Sequence, residues 1–202
     1  MAADARDAAY QLQPGFHTPS RTAAIGMYLF LAALFMLFAS GMLGYGMIRV
    51  AAMNKVALHS LHMPGGLWFS TALVVAASVT AQLAVREVKR EHQESFRRWL
   101  AATLWLAVGF VIVQIPSLVV LLREQAVMKQ QKLALFGLIF FLVLLHAMHV
   151  VGGIAALGRT VRQAGRNVYD HEHYQPVHHV ALYWHFLDCV WLVMFFSFLL
   201  VG

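Results

Sequence analysis

The stretch ALYWHFLDCVWLVMFFSF, residues 181–198, places one carboxylate, Asp188, inside an apolar run long enough to cross a bilayer. About 20 apolar residues span the hydrocarbon core as a helix. A charged side chain in the middle of such a helix costs about 2.5–3.5 kcal/mol on insertion scales. The stretch therefore predicts a membrane-spanning helix in which Asp188 has a compensating partner.

The composition is typical of a membrane protein. Of the 202 residues, 60% are hydrophobic and 12% are charged, whereas about a quarter of the residues in a soluble domain are charged. Apolar runs of spanning length occur at residues 22–48, 64–85, 96–122, 133–157 and 178–202. We therefore predict an all-α fold, a polytopic membrane protein with five transmembrane helices in a bundle. In domain terms, residues 1–21 are expected to form a cytoplasmic N-terminal tail and residues 22–202 the five-helix domain.

The basic residues lie almost wholly between the spans, where they act as topology signals rather than as a nucleic-acid surface. Ten of the 15 fall on the N-terminal side of the membrane: Arg6, Arg21, Arg86, Lys89, Arg90, Arg97, Arg98, Arg159, Arg162 and Arg166. The other five are Arg49, Lys55, Arg123, Lys129 and Lys132. This asymmetry predicts a cytoplasmic N-terminus and an external C-terminus.

A cluster of histidines and carboxylates precedes the last span. Its members are Asp170, His171, Glu172, His173, His178 and His179. Such groups can bind zinc, but the spacing is weakly specific, and Pro176 predicts a helix start with His178 and His179 in its first turn. A polar interfacial loop is favoured over a metal site. The single cysteine, Cys189, excludes an intrachain disulfide and is expected to be a small core residue.

Four ionisable residues lie deep inside the last two spans: His146 and His149 in the fourth, His185 and Asp188 in the fifth. Each pair is three residues apart and so shares one helical face. At a rise of 1.5 Å per residue, all four lie roughly 10–17 Å from the cytoplasmic ends of their helices. Because consecutive helices usually pack as antiparallel neighbours, the histidines are predicted to donate hydrogen bonds to Asp188.

Three interpretations of this set are open: a structural polar clamp, a proton relay and a bis-histidine haem site. A clamp requires only that every buried polar group has a partner. A relay requires a continuous path, yet the first three spans contain no Asp, Glu, Lys or His between their ends. A bis-histidine haem site requires two histidine rings on opposite faces of a porphyrin, far enough apart to enclose it. The clamp is favoured, and Gly152 and Gly153 are expected to let the helix backbones approach closely.

Two motifs resemble those of subunit III of haem-copper respiratory oxidases. The terminal-helix motif is Tyr-Trp-His-Phe, one residue, Asp, two residues, Trp. It matches at Tyr183, Trp184, His185, Phe186, Asp188 and Trp191. The string LHAMHVVGG is similar to the fourth-helix motif through Leu145, His146, His149, Val150, Gly152 and Gly153. More loosely, GMYLFL at Gly26 and LWFSTALVVAAS at Leu67 resemble the first two helices of five-helix members.

The resemblance covers the chain from about residue 21 onward and implies the short, five-helix bacterial form. It implies an accessory subunit in the bacterial cytoplasmic membrane that packs with subunits I and II and holds phospholipid in a cleft. Haem and copper would belong to the partner subunits, which reduce dioxygen with electrons from cytochrome c or a quinol and pump protons. An accessory role in a nitric oxide reductase, a stand-alone transporter and a haem-binding cytochrome are the alternatives.

One position departs from the family pattern. The first helix of the family commonly carries a glutamate after a Leu-Phe-Leu-Ala-Ser run, and here Leu34 occupies that position. The proposed family role of that carboxylate, in proton uptake or carbodiimide reactivity, is therefore not transferred to this chain.

Overall fold

Five helices make up the fold in the computed structural model, which describes residues 20–53, 66–127, 133–166, 169 and 174–201. They are α1 (Ser20–Met53), α2 (Gly66–Lys89), α3 (Gln93–Val127), α4 (Leu133–Ala164) and α5 (Gln175–Val201). Each helix contains a segment long and apolar enough to cross a membrane: Thr22–Ile48, Trp68–Lys89, Gln93–Pro116, Gly137–Ala164 and Gln175–Ser197. The predicted all-α fold with five spanning helices is confirmed.

The helices extend beyond the apolar runs that predicted them. The mixed-charge segment between the second and third runs is almost entirely helical, and only residues 90–92 connect α2 to α3. Arg, Lys, Glu and Gln have high helix propensity, so each helix continues past its apolar core. In the same way, α4 extends to Ala164 and α5 already begins at Gln175.

The turn between α2 and α3 is a Schellman motif. The His92 N–H bonds the Glu87 carbonyl at 3.1 Å, and the Glu91 N–H bonds the Val88 carbonyl at 3.3 Å. These are the 6→1 and 5→2 hydrogen bonds of that motif, whose C′ residue adopts a left-handed conformation. Glu91 has that conformation, with φ of 63°. The turn aligns α2 and α3 as a tight antiparallel pair.

The packing places α5 in the middle of the bundle. α2 packs against α3, α3 against α4, and α5 contacts α1, α2 and α4. Trp184, Leu187 and Met194 of α5 are almost completely buried. α1 is peripheral, because within the described ranges it contacts only α4 and α5, and it exposes most of its apolar side chains.

Leu34 is one of the α1 side chains that turn inward. It is 6% exposed and belongs to the main hydrophobic core. The position at which the family commonly has a carboxylate is thus filled by a core leucine in this chain.

The left-handed Glu91 predicts a stabilising substitution. Because glycine lacks the Cβ that disfavours this conformation, Glu91→Gly should be more stable than Glu91→Ala by about 1 kcal/mol. Both variants lose the same charge and side-chain contacts, so alanine is the matched control. Thermal unfolding in mild detergent would measure the difference. Equal stability of the two variants would contradict the described turn.

Candidate functional site

The Asp188 carboxyl lies between α5 and α2. It is 6% exposed, and the Ser78 hydroxyl hydrogen-bonds it. The same hydroxyl lies 2.5 Å from Nδ1 of His185 and shares a hydrogen bond with it. Nε2 of His185 lies 3.1 Å from Oε1 of Gln82. Gln82, His185, Ser78 and Asp188 thus form a hydrogen-bonded chain, here called the polar network, which joins α2 to α5.

Helical spacing explains why these four side chains meet. Ser78 and Gln82 are four residues apart on α2, and His185 and Asp188 are three apart on α5, so each pair lies on one face. Since the hydrocarbon core supplies no water, buried polar groups have to be paired within the protein. Oδ2 of Asp188 has no hydrogen-bond partner among the described residues, so the network satisfies only part of this carboxyl.

The fourth-helix histidines have other partners. Nδ1–H of His149 donates to the Leu145 carbonyl of its own helix at 2.7 Å. The buried His146 ring stacks on Trp191, with centroids 5.6 Å apart, and its Nδ1 is unpaired within the described chain. No hydrogen bond between described residues joins either histidine to Asp188. The partner that we predicted for Asp188 in α4 is therefore replaced by Ser78 of α2.

Aromatic residues of the terminal-helix motif explain this orientation of α5, because they fill its contact with α4. The Tyr183 hydroxyl donates to the His149 carbonyl at 3.0 Å. Trp184 is buried at the same contact, and Phe186 is partly buried against the core. The opposite side of the helix, with His185, consequently faces α2.

Trp191 links three helices in the interior of the bundle. Its Nε1–H donates to Oγ1 of Thr71 on α2 at 3.2 Å. Its ring also meets the edge of Phe110 on α3, with centroids 5.4 Å apart, and stacks on His146 of α4. Trp191 therefore combines a polar and an aromatic role in packing.

The two motif glycines differ in their surroundings. A Cβ on Gly153 would lie 3.1 Å from the Tyr183 ring and 3.4 Å from both Leu187 and Trp184, whereas one on Gly152 would meet nothing within 4 Å. Close approach of α4 and α5 therefore depends on Gly153. The expectation that Gly152 also faces this contact was wrong, because successive residues on a helix point about 100° apart.

A second polar cluster lies at the end of the bundle where α4 leads to α5. Nε2 of Gln93 donates to the Tyr169 carbonyl at 3.0 Å, and the Tyr169 hydroxyl hydrogen-bonds Gln163. Nε–H of Arg97 donates to the Ala164 carbonyl at 3.1 Å, where the end of α4 leaves carbonyls without helical partners. Burial raises the pKa of the Tyr169 hydroxyl. These contacts fix Tyr169 and the C-terminal end of α4 onto α3.

The histidines before the last span are only partly described. The His178 N–H bonds the Tyr174 carbonyl at 3.1 Å, so His178 lies in the first turn of α5, as predicted, and His179 follows it as the fifth residue of the helix. His171 and His173 lie outside the described residues. Within the described ranges, no three His, Cys, Asp or Glu side chains form a group suited to a metal ion.

Cys189 is exposed, and its predicted core position was wrong.

Sequence reasoning missed the hydroxyl and amide groups that complete the site. It considered only ionisable residues in the first three runs and so overlooked Ser78 and Gln82. The same applies to Thr80 and Thr103, whose hydroxyls are joined by a hydrogen bond of 2.9 Å between α2 and α3. The usable signal was Ser78 and Gln82 at i,i+4 spacing in a run otherwise rich in Val, Ala and Leu.

Comparison with known proteins identifies the family. The sequence profile described as Cytochrome c oxidase subunit III matches residues 7–202. The chain belongs to this family. The resemblance read from the two motifs is thereby confirmed across nearly the whole chain.

Curated relatives of this family are similar to the chain at modest identity. "Quinol oxidase subunit 3" of Bacillus subtilis is 27% identical over 193 residues, which cover 96% of this chain and 91% of the relative. "Cytochrome c oxidase subunit 3" of Corynebacterium diphtheriae is 26% identical, with 86% of this chain and 85% of the relative covered. A subunit 3 of the same name from Bacillus sp. strain PS3 is 28% identical, with coverages of 88% and 85%.

The two glycines provide a matched test of the α4–α5 contact. Gly153→Leu should force α4 and α5 apart and lower the stability of the chain by about 1–3 kcal/mol, a typical cost of overpacking. Gly152→Leu adds the same side chain one residue away, in open space, and should change stability little. Thermal unfolding in detergent would compare them. Equal losses from both substitutions would refute the role assigned to Gly153.

Proposed function

We propose that this chain is an accessory membrane subunit of a haem-copper terminal oxidase, which stabilises the catalytic subunit I, contacts subunit II and binds phospholipid. The observation that carries the proposal is the family match over residues 7–202. Both motif helices, α4 and α5, also lie at the centre of the packing. The chemistry of oxygen reduction and the haem and copper groups are assigned to the partner subunits.

The surroundings of the intramembrane histidines support a structural role. Both ring nitrogens of His185 are engaged, one with Ser78 and the other with Gln82. Nδ1 of His149 is held by its own helix, and His146 stacks on Trp191. A haem ligand needs a nitrogen lone pair directed at iron, whereas both nitrogens of His185 take part in hydrogen bonds between helices. The proposed intramembrane polar clamp therefore consists of His185 and Asp188 with Ser78 and Gln82, while His146 and His149, the other two predicted members, make separate packing contacts.

A structural role of this kind fits an accessory subunit. The polar network joins α5 to α2, and the contact at Gly153 joins α5 to α4. Buried hydrogen bonds that are satisfied across helices favour one arrangement of the bundle over others. A bundle held in one arrangement presents a constant surface to the catalytic subunit, which is what stabilisation of a partner requires.

The proposed location is the bacterial cytoplasmic membrane, with residues 1–21 in the cytoplasm and the C-terminus outside. The Lys and Arg asymmetry supports this orientation. The α2–α3 turn, with Arg86, Lys89 and Arg90 nearby, would then be cytoplasmic.

Exposed apolar side chains on α1, such as Met36 and Leu43 at 68% and 70% exposure, provide surface for phospholipid chains. The relatives include subunits named for quinol oxidases and for cytochrome c oxidases. The proposal therefore covers both electron donors.

Purification through a C-terminal affinity tag tests the proposal. The tagged chain, extracted in mild detergent, should carry subunits I and II with it, and the complex should show haem spectra and oxygen uptake. The chain expressed alone should show no Soret band, because the ligands belong to the partners. A haem-to-chain ratio near one in the isolated chain would favour a haem-binding cytochrome. Co-purification of nitric oxide reductase subunits would instead favour an accessory role in that enzyme.

A further inference from the structure

The outer surface shared by α2 and α5 carries hydrogen-bonding side chains inside the spans. Gln82 of α2 is exposed, and the partly buried His185 of α5 lies beside it. Cys189, about one turn further along α5, is also exposed. We call this surface the α2/α5 face, and its residues are Val75, Val79, Gln82, His185, Cys189 and Val193.

Gln82 lies too deep for easy contact with water. It is seven residues from the Lys89 end of its span, which places it roughly 10 Å along the helix. Its Oε1 pairs with His185, but its amide nitrogen carries two further N–H donors. No hydrogen bond from that nitrogen is formed within the described part of the chain. Lipid tails offer no acceptor, and unsatisfied polar groups in hydrocarbon are costly.

The outer face of α4 has a different chemistry. Its exposed side chains within the span include Phe141, Leu144, Met148 and Val151, with exposed fractions of 39–66%. None of these side chains needs a hydrogen-bond partner, so lipid chains can cover them without penalty. The contrast indicates that the α2/α5 face is covered by something other than lipid.

The charges around Gln82 indicate what covers it. Arg86, one turn away on α2, is exposed, and His178, two turns before His185 on α5, is also exposed. Amide, guanidinium and imidazole groups all present N–H donors or positive charge on this side. The complementary surface must therefore supply acceptors, and the exposed side chains of Val75, Val79 and Val193 provide apolar surface on the same face.

We propose that the α2/α5 face docks a membrane-spanning helix of another oxidase subunit, which presents a carboxylate or carbonyl acceptor to the Gln82 amide. The inference rests on the proposed function and adds to it the surface through which the subunit is held. Small and β-branched neighbours allow the helices to approach, and a hydrogen bond within the membrane fixes their register. Phospholipid and a second copy of this chain are the competing occupants.

Photocrosslinking in the purified oxidase complex tests the proposal. A photoreactive phenylalanine analogue replaces Val79 or Val193, which are 55% and 57% exposed, and in the controls Phe141 or Met148, which are 52% and 66% exposed. The first two probes should crosslink a spanning peptide of another subunit, at a yield several-fold above that of the controls. Lipid adducts alone, or a crosslinked second copy, at positions 79 and 193 would overturn the docking surface.

A second measurement tests the hydrogen bond itself. Gln82→Leu should lower the fraction of this chain that stays in the washed complex by about threefold to tenfold, the effect of one hydrogen bond. Ser40→Leu is the matched control, since the exposed Ser40 hydroxyl already bonds the Leu37 carbonyl of its own helix. Equal retention of the Gln82 and Ser40 variants would contradict the assigned contact.

Two failures are distinguishable in these experiments. A chain that co-purifies with the oxidase but crosslinks it only from positions 141 and 148 overturns the inference and leaves the proposed function standing. A chain that brings no oxidase subunit with it overturns both.

Discussion

The absence of water from the hydrocarbon core is the constraint on which the arrangement of this bundle depends. A carboxyl group placed there needs partners supplied by the protein, and Asp188 finds one in Ser78 across the α2–α5 contact. His185 extends the same chain of hydrogen bonds to Gln82. The rotation of α5 about its axis is fixed by this requirement together with the aromatic packing on its other side.

Packing and polarity act on opposite sides of one helix. Tyr183, Trp184 and Leu187 fill the space that Gly153 leaves open on α4, and His185 is consequently turned to α2. The apolar side chains of α5 alone would restrict its rotation less, since lipid tails are as apolar as these side chains. The polar network adds hydrogen bonds to α2 that a rotated helix would lose. His185 and Asp188 raise the free-energy cost of placing α5 in the membrane, and their hydrogen bonds to α2 favour one orientation of the helix.

Much of the fold could be predicted from the sequence because hydrophobic length is a local signal. The five spans, the helix start near Pro176 and the family motif all lie within single stretches of chain. The helix ends were displaced, because charged residues with high helix propensity extend a helix beyond its apolar part, as at Lys89 and Ala164. Whether Leu34 faces the core depends on how α1 packs against the other helices, and the sequence of α1 alone does not show this.

The candidate site was predicted only in part, because side-chain pairing depends on how each helix is rotated. Depth and spacing selected Asp188, which is buried, and His185, which is partly buried. They could not decide whether that set faces α4 or α2, and adjacency along the chain favoured α4. Neutral polar residues such as Ser78 and Gln82 carry no charge signal, yet they provide the partners. Gly152 and Gly153 likewise look equivalent in the sequence, but only Gly153 faces α5.

A pair of double-mutant cycles on the free energy of unfolding in mixed micelles tests the pairing of Asp188 most directly. Ser78→Ala and Asp188→Ala should couple by about 0.5–3 kcal/mol, the range for residues that share a hydrogen bond. His149→Ala and Asp188→Ala should be additive to within about 0.5 kcal/mol. Additivity in the Ser78 cycle together with coupling in the His149 cycle would contradict the α2–α5 network and return Asp188 to a partner on α4.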